Sequence, residues 1–404
     1  MVYSEMNGAL RIGTLAPTRE RLQMAGLRQK IDLLRGLLDG ETARTGPLYV
    51  DVDVTSRCNL SCVGCFYHSP EVEDDERHDP VKGDIPLDLA KELFSDLRKM
   101  GTNSIILQGA GEPLLYPNLL ELISFAKQNG FDVMVLTNGT LLGREMCEGL
   151  IESHLDTLRV SLWASSSGQY QLNYPGNRPG LFEKTVEGIR RLVRIKGEVP
   201  STVPRIVLYH PINRTNFETI ERFVDLGLDI PVDGLTFAPM NTVRDSLAHL
   251  ALTVEERDAV LTQLRDLRTR FDRLSIDHNI DEVLLRYDLG EKWWQDMPCY
   301  TTWFHARFRI DGNIQPCGRC DPSLSLGNFS QDPFQKIWNG PAFRSFRRQA
   351  RSRPGMESLR RSCDCDYCCY VKDMSRIHRV LKWLPASISN LSRMPEWVGV
   401  PKAK

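Results

Sequence analysis

Three cysteines fall within eight residues in "VTSRCNLSCVGCFYHS" (54–69): Cys58, Cys62 and Cys65. Seven more gather near the C-terminus: Cys299, Cys317, Cys320, Cys363, Cys365, Cys368 and Cys369. Thiolates are soft ligands and select zinc or iron–sulfur clusters. A structural zinc takes four ligands. His68, three residues after Cys65, would complete a Cys3His knot, so zinc is one reading of the first group. A [4Fe–4S] cubane has four irons to fill; three protein thiolates would leave one iron open to a small molecule, which accounts for a triad. In the second group, Cys-x2-Cys spacing across a long loop suits a zinc ribbon as well as iron. Cys147 stands alone in a helix-like stretch and reads as a small buried hydrophobe.

The setting favours metal over disulfides. The chain has 404 residues, 41% hydrophobic and 25% charged, with a formal net charge of −1. That is a globular composition with no general attraction for nucleic acid or a membrane surface. No apolar run approaches the roughly 20 residues of a membrane span, and "MVYSEMNGALRIGTLAP" lacks the features of a signal peptide. The expected compartment is cytoplasmic, where thiols stay reduced and clustered cysteines serve metals or catalysis.

Six strand-like runs alternate with amphipathic stretches between 49 and 275: "YVDVDVTS", "NSIILQG", "DVMVLTNG", "TLRVSLWA", "RIVLYHPI" and "GLTFAPMN". Such alternation predicts an α/β fold with a parallel sheet and outer helices. Six units suit a partial barrel or an open doubly wound sheet, with the site at the C-terminal ends of the strands in either case. The cysteine triad sits there, directly after the first strand. Residues 18–39 predict an amphipathic helix with Leu27, Ile31, Leu34 and Leu38 on its packed face. The expected divisions are an N-terminal helical extension (1–46), the strand–helix region (47–275), a smaller cysteine-rich domain (276–375) and a basic tail (376–404) carrying Trp383 and Trp397. Arg344, Arg347, Arg348 and Arg351 fall at helical spacing, which reads as a solvated face or as a docking stripe for an anionic substrate or an acidic electron donor. The acidic run 71–79 reads as an exposed loop.

Cys-x3-Cys-x2-Cys after the first of six such units resembles the radical S-adenosylmethionine (SAM) enzymes. The resemblance implies a six-unit (βα)6 partial TIM barrel in which Cys58, Cys62 and Cys65 hold a [4Fe–4S] cluster, SAM chelates its open iron, and an electron from the cluster yields a 5′-deoxyadenosyl radical. Gly111-Glu112-Pro113 in "LQGAGEPLLYP" looks like the family's Gly-Gly-Glu-Pro motif, which holds the SAM amine. By the same resemblance Asn138 reaches the SAM carboxylate or ribose, Ser161 the ribose, and Asn213 and Met240 lie where the adenine is held. There are departures. Gly64 stands where an aromatic residue is usual, with Phe66 or Tyr67 as its expected replacement. Ala110 replaces the first glycine, and Trp163 stands where many relatives have Asp, as a candidate lining of the substrate pocket.

The second cysteine group resembles the auxiliary-cluster extensions known as SPASM and twitch domains. A leading Cys299, Gly312-x4-Cys317 and a late Cys365-x2-Cys368 imply one auxiliary [4Fe–4S] cluster on Cys299, Cys317, Cys365 and Cys368, with Cys320, Cys363 and Cys369 as alternates. Cys363 is the strongest challenger to Cys365. The full SPASM cysteine series is absent, so one auxiliary cluster is expected rather than two.

The function this implies is a radical SAM oxidoreductase or isomerase. It would abstract hydrogen from an unactivated C–H bond of a small polar molecule, such as a sugar or aminocyclitol, because the N-terminal segment is short for a peptide-recognition domain. The alternative is a maturase of a ribosomally made peptide, and beyond that a zinc-stapled binding module. Expected partners are the substrate and a flavodoxin- or ferredoxin-type electron donor. Tyr67, His210 and Arg309 are the candidate acid/base residues at the pocket edge.

Overall fold

The computed structural model describes residues 26–72, 81–242, 245–274, 276–321 and 323–383. Nine strands form one sheet: β1 (Tyr49–Asp53), β2 (Ser104–Gln108), β3 (Asp132–Thr137), β4 (Thr157–Ser161), β5 (Arg205–Ile212), β6 (Gly234–Pro239), β7 (Asp277–His278), β8 (His305–Phe308) and β9 (Ile314–Gln315). Their order is β7-β6-β5-β4-β3-β2-β1-β8-β9. All neighbours are parallel except the β8–β9 hairpin. The six expected strand–helix units are present, and the barrel does not close.

Residues of β1 to β6 alternate between the barrel interior and the outer helices. On the outer side Val50, Ile105, Val133, Leu158, Leu208 and Leu235 are fully buried in one core. Inside, Tyr49, Asp51, Ile106, Gln108, Met134, Leu136, Arg159, Val207, Tyr209 and Thr236 line a cavity. The sheet is thus apolar on its helix-covered face and mixed in polarity within.

The cysteine-rich region does not hang from the barrel as a separate body. Its first strand, β8, pairs with β1 in the register Tyr49↔His305 to Val52↔Phe308 and extends the barrel sheet. Arg286 donates two hydrogen bonds to the Tyr367 carbonyl, and Trp293 Nε1 donates to the Cys365 carbonyl. The helix Val371–Trp383 runs across position 375.

The N-terminal helix spans Leu27–Asp39, and residues 18–25 of the expected helix lie outside the described residues. Its packed face is centred on Leu33, Gly36 and Leu37; of the predicted residues Leu34 and Leu38 pack against the core, while Leu27 and Ile31 face solvent. The reason is a close contact. Gly36 packs against the backbone of Thr42–Arg44 and gives its carbonyl to Trp303 Nε1, which turns the helix by part of a turn from the leucine stripe. The acidic run from 73 onward, and Trp397, also lie outside the described residues.

The arginine stripe is not one uniform solvated face: Arg344 and Arg348 are exposed and Arg351 is half-buried. Arg347 is fully buried. It donates to the carbonyls of Thr302 and Glu41 and to Asn339 Oδ1, and its guanidinium lies 4.6 Å from the Trp338 ring. It braces the helix Pro341–Ala350 against the N-terminal segment, at the cost of burying a charge. Arg347→Met should leave the Thr302 and Glu41 carbonyls without this donor, while Asn339 Oδ1 keeps the Ala43 N–H, and lower stability by about 2–4 kcal/mol. Arg348, exposed and paired with Glu41, should tolerate alanine within about 0.5 kcal/mol. Urea denaturation of the two variants checks this; equal midpoints would remove the brace.

Candidate functional site

The loop after β1 carries the first three cysteines and is held from three sides. Arg57 forms an ion pair with Asp84 and donates to the Leu115 carbonyl. Val63 N–H donates to the Asn173 carbonyl, and Ser69 Oγ–H to the Val63 carbonyl. Asn59 donates to Thr140 Oγ and accepts from Asn138. Two glycines allow the next strand end to close on this loop: a Cβ on Gly109 would lie 2.5 Å from the Thr55 carbonyl, and one on Gly111 2.2 Å from the Arg57 carbonyl. That is the physical content of the glycines in "GAGEP".

Cys58, Cys62 and Cys65 lie near enough to perturb one another, and Glu112 lies near Cys58 and Cys62. Burial pushes the Cys58 thiol up to about 11 and raises Cys62 as well. Glu112 is 2% exposed, and its carboxylate accepts from Leu114 N, Thr137 Oγ and Asn138 N. Burial raises its pKa, and among the described residues no cation offsets this. A carboxylate has about four acceptor positions, so one remains for an ammonium beside the thiols. His68 is turned away from the cysteines: its Nε2 lies 2.7 Å from the Ala110 carbonyl. The Cys3His knot is therefore not formed. Among the described residues no three His, Cys, Asp or Glu side chains close on one point as a single ion requires.

Gly64 explains the missing aromatic. A Cβ there would lie 1.6 Å from Met240 Cε and 3.4 Å from the Trp163 ring. Met240 and Trp163 fill the space a ring would take, and with Val63 and Phe66 they form a small apolar cluster over the loop. Trp163 Nε1 donates to Ser161 Oγ. Asn213 is fully buried and spends its side chain on Asn173 and Thr215, which shapes the turn after β5.

The three acid/base candidates do not stand at the cavity wall. His210 alternates with the inward-facing Tyr209 and Pro211 and so points outward, stacked at 4.2 Å on Phe223. Burial drops its pKa to about 4, so it stays neutral in the core. Arg309 is buried near Asp311, and Tyr67 meets Arg307.

The cavity, about 390 Å³, holds groups that reading from sequence did not single out. Asp51 lies 3.3 Å from His305 Nε2 and accepts from Tyr370 Oη–H. The next inward position on β1, Asp53, makes a bidentate, buried pair with Arg307. The signal was the facing alternations "DVDVT" and "HARFR": both put charges on inward strand positions, which is rare unless they meet.

In the second group burial raises the thiols of Cys317, Cys365 and Cys368, and neighbouring thiols add to it: Cys299 and Cys369 on Cys317, Cys299 and Cys317 on Cys365, and Cys369, Cys365, Cys299 and Cys317 on Cys368. Cys320 and Cys363 are joined sulfur to sulfur. Cys369 is exposed and lines the cavity with Arg319 and Tyr370.

Two family models match the chain: the radical SAM superfamily over residues 52–224 and SPASM, an iron–sulfur cluster-binding domain, over 299–370. The chain is 27% identical over 343 residues to the tungsten-containing aldehyde ferredoxin oxidoreductase cofactor-modifying protein of Pyrococcus furiosus, covering 80% of this chain and 89% of that one. It is 27% identical over 316 residues to the PqqA peptide cyclase of Bradyrhizobium diazoefficiens, covering 74% and 75%. In fold it is similar to Streptococcus suis SuiB bound to its precursor peptide SuiA, with a TM-score of 0.59 at 16% identity over 92% of this chain and 80% of that one.

Proposed function

Because the chain belongs to the radical SAM superfamily and carries a SPASM iron–sulfur domain, we propose that it is a peptide-modifying radical enzyme that dehydrogenates or cross-links a side chain. One observation carries this reading: the loop of the first cysteines and the second cysteine group both contribute residues to the wall of one cavity. Gly64, Phe66, Trp163 and Met240 come from the first loop and its cover, and Arg319, Cys369 and Tyr370 from the second group. A substrate held there touches both. The similarity to a peptide cyclase over three-quarters of both chains supports a peptide, in place of the small polar molecule suggested by the short N-terminal segment.

The cofactors of the family are a [4Fe–4S] cluster with an open iron, SAM and auxiliary iron–sulfur centres; bound, they supply a hydrogen-abstracting carbon radical on one side and an electron acceptor on the other. The chain's own residues do the rest. Cys58, Cys62 and Cys65 are the proposed ligands of the first cluster, and Glu112 receives the SAM amine. The apolar cover of Trp163, Phe66 and Met240 keeps water from the reacting carbon. Asp51 Oδ2, with Tyr370 and His305 behind it, takes the proton that the substrate releases on oxidation.

The test uses extract from deuterium-grown source cells, divided by size into peptide and small-molecule fractions. Deuterium should pass into 5′-deoxyadenosine from the peptide fraction. Transfer only from the small-molecule fraction would overturn the peptide reading.

A further inference from the structure

Cys299 is pinned through both its backbone and its sulfur. Its N–H donates to the Ala350 carbonyl at 3.1 Å, and its Sγ lies 3.3 Å from Thr301 Oγ. The Thr301 N–H also points to this sulfur. Thr301 is 1% exposed, so its hydroxyl turns to partners within the protein. Its second neighbour is another sulfur: Met374 Sδ, fully buried on the helix Val371–Trp383, lies 3.6 Å away. One hydroxyl thus stands between a thiol and a thioether.

Donor and acceptor chemistry decides which sulfur it serves. With Cys299 a thiol, the S–H donates to the hydroxyl and the hydroxyl donates to the thioether. A cysteine that holds iron is a thiolate, which can only accept. The contact between Cys299 and Thr301 then survives in one direction, from the Thr301 O–H to the sulfur. A thiolate is charged and a thioether is a weak acceptor, so the hydroxyl leaves Met374 at little cost.

A donor on a ligating sulfur favours the reduced cluster, because reduction adds negative charge that the sulfurs share. Hydrogen bonds to sulfur are among the levers that set cluster potentials. Cys368 has a donor too, the Tyr370 N–H at 3.4 Å from its Sγ, but that one belongs to the backbone. Thr301 makes its bond from a side chain, which leaves the effect open to substitution.

We infer that the Thr301 hydroxyl donates to Cys299 in the iron-loaded protein and raises the potential of the auxiliary centre, making it a readier acceptor for the substrate's electron. This rests on the oxidative reading above and on Cys299 as a ligand. Thr301 does not line the cavity; it is a positioning residue that acts through Cys299.

The experiment reads one cluster alone. In the full-length chain with Cys58, Cys62 and Cys65 replaced by alanine, the auxiliary centre is the iron that remains. An anaerobic redox titration followed by electron paramagnetic resonance measures its potential. Thr301→Val removes the hydroxyl and keeps the shape. Its equilibrium constant for reduction should fall at least about threefold, which is about 28 mV for one electron. Thr301→Ser, which keeps a hydroxyl, should hold the parent potential. Met374→Leu gives an independent reading, since it conserves volume and leaves the hydroxyl in place. Here the potential should not move, because the hydroxyl already serves Cys299. The parent potential in Thr301→Val overturns the inference, and so does an equal fall in Thr301→Ser. A rise in Met374→Leu overturns it as well, because the hydroxyl was then held by the thioether. If Thr301→Val does not retain iron, the Met374→Leu titration decides. Each of these failures leaves about four irons in place and the oxidative reading intact. Zinc in place of iron in the same chain removes the auxiliary centre itself, and with it both that reading and this inference.

Discussion

Replacing Cys58, Cys62 and Cys65 together by alanine is expected to abolish 5′-deoxyadenosine formation from SAM under dithionite. Iron should fall from about eight to about four per chain, as the loss of one of two four-iron clusters requires. The loop is pinned through Arg57, Asn59, Val63 and Ser69, and none of these contacts uses a cysteine side chain. The triple variant should therefore keep its fold and its far-UV spectrum while losing the reaction. Glu112→Gln separates binding from cluster loading. Iron should stay near the wild-type content, while SAM affinity falls about tenfold, because a buried carboxylate one acceptor short of full is replaced by a neutral amide. The new side-chain amide would also turn an NH2 group toward the N–H of Asn138 or Leu114, so some loss of stability accompanies it. Persistent SAM cleavage in the triple variant would sink the proposed ligand set, and unchanged SAM affinity in Glu112→Gln would free Glu112 from its role.

The strand–helix alternation was legible because each inner strand has one uniformly apolar face and ends in a turn signal. Val50 and Val52, Ile105 and Leu107, and Val133 and Val135 give the period directly. The cysteine loop was legible because ligand spacing is local. What escaped was what depends on distant pairing. The Asp51–His305–Tyr370 and Asp53–Arg307 contacts exist only because β8, more than 250 positions after β1, joins its open edge. Arg347 was misread for a related reason. Helical spacing places it on one side of the helix Pro341–Ala350, but that side faces Trp303, Trp338 and the Thr302 carbonyl, and not water. His210 shows the limit of strand-end reasoning: it lies at the right depth but one residue out of phase, and a one-residue change moves a side chain to the other face of a sheet.

The choice among seven late cysteines yields the second large effect. Cys317→Ala with Cys368→Ala is expected to lower iron from about eight to about four per chain. SAM cleavage should continue while substrate dehydrogenation stops, since the contacts that hold the first cysteine loop use none of the late cysteines. Cys320→Ser with Cys363→Ser should leave the iron unchanged. The reasoning is spatial. Cys299, Cys317, Cys365, Cys368 and Cys369 gather in one group, whereas Cys320 and Cys363 meet each other across an antiparallel bridge. Sequence spacing ranked Cys363 beside Cys365. The fold separates them, because Cys363 enters that bridge and Cys365 does not. Cys320 remains 3.8 Å from Cys317, and Cys369 lies beside Cys368, so these two are the rivals the experiment must beat. Iron that falls by half in the Cys320/Cys363 variant and stays full in the Cys317/Cys368 variant would exchange the two sets. One auxiliary centre on the first set has a further consequence. Four thiolates close a cubane, so it has no iron open to SAM and can serve only to move electrons. Its loss should then leave abortive SAM cleavage intact while removing the oxidised product, a split that a general loss of folding cannot produce.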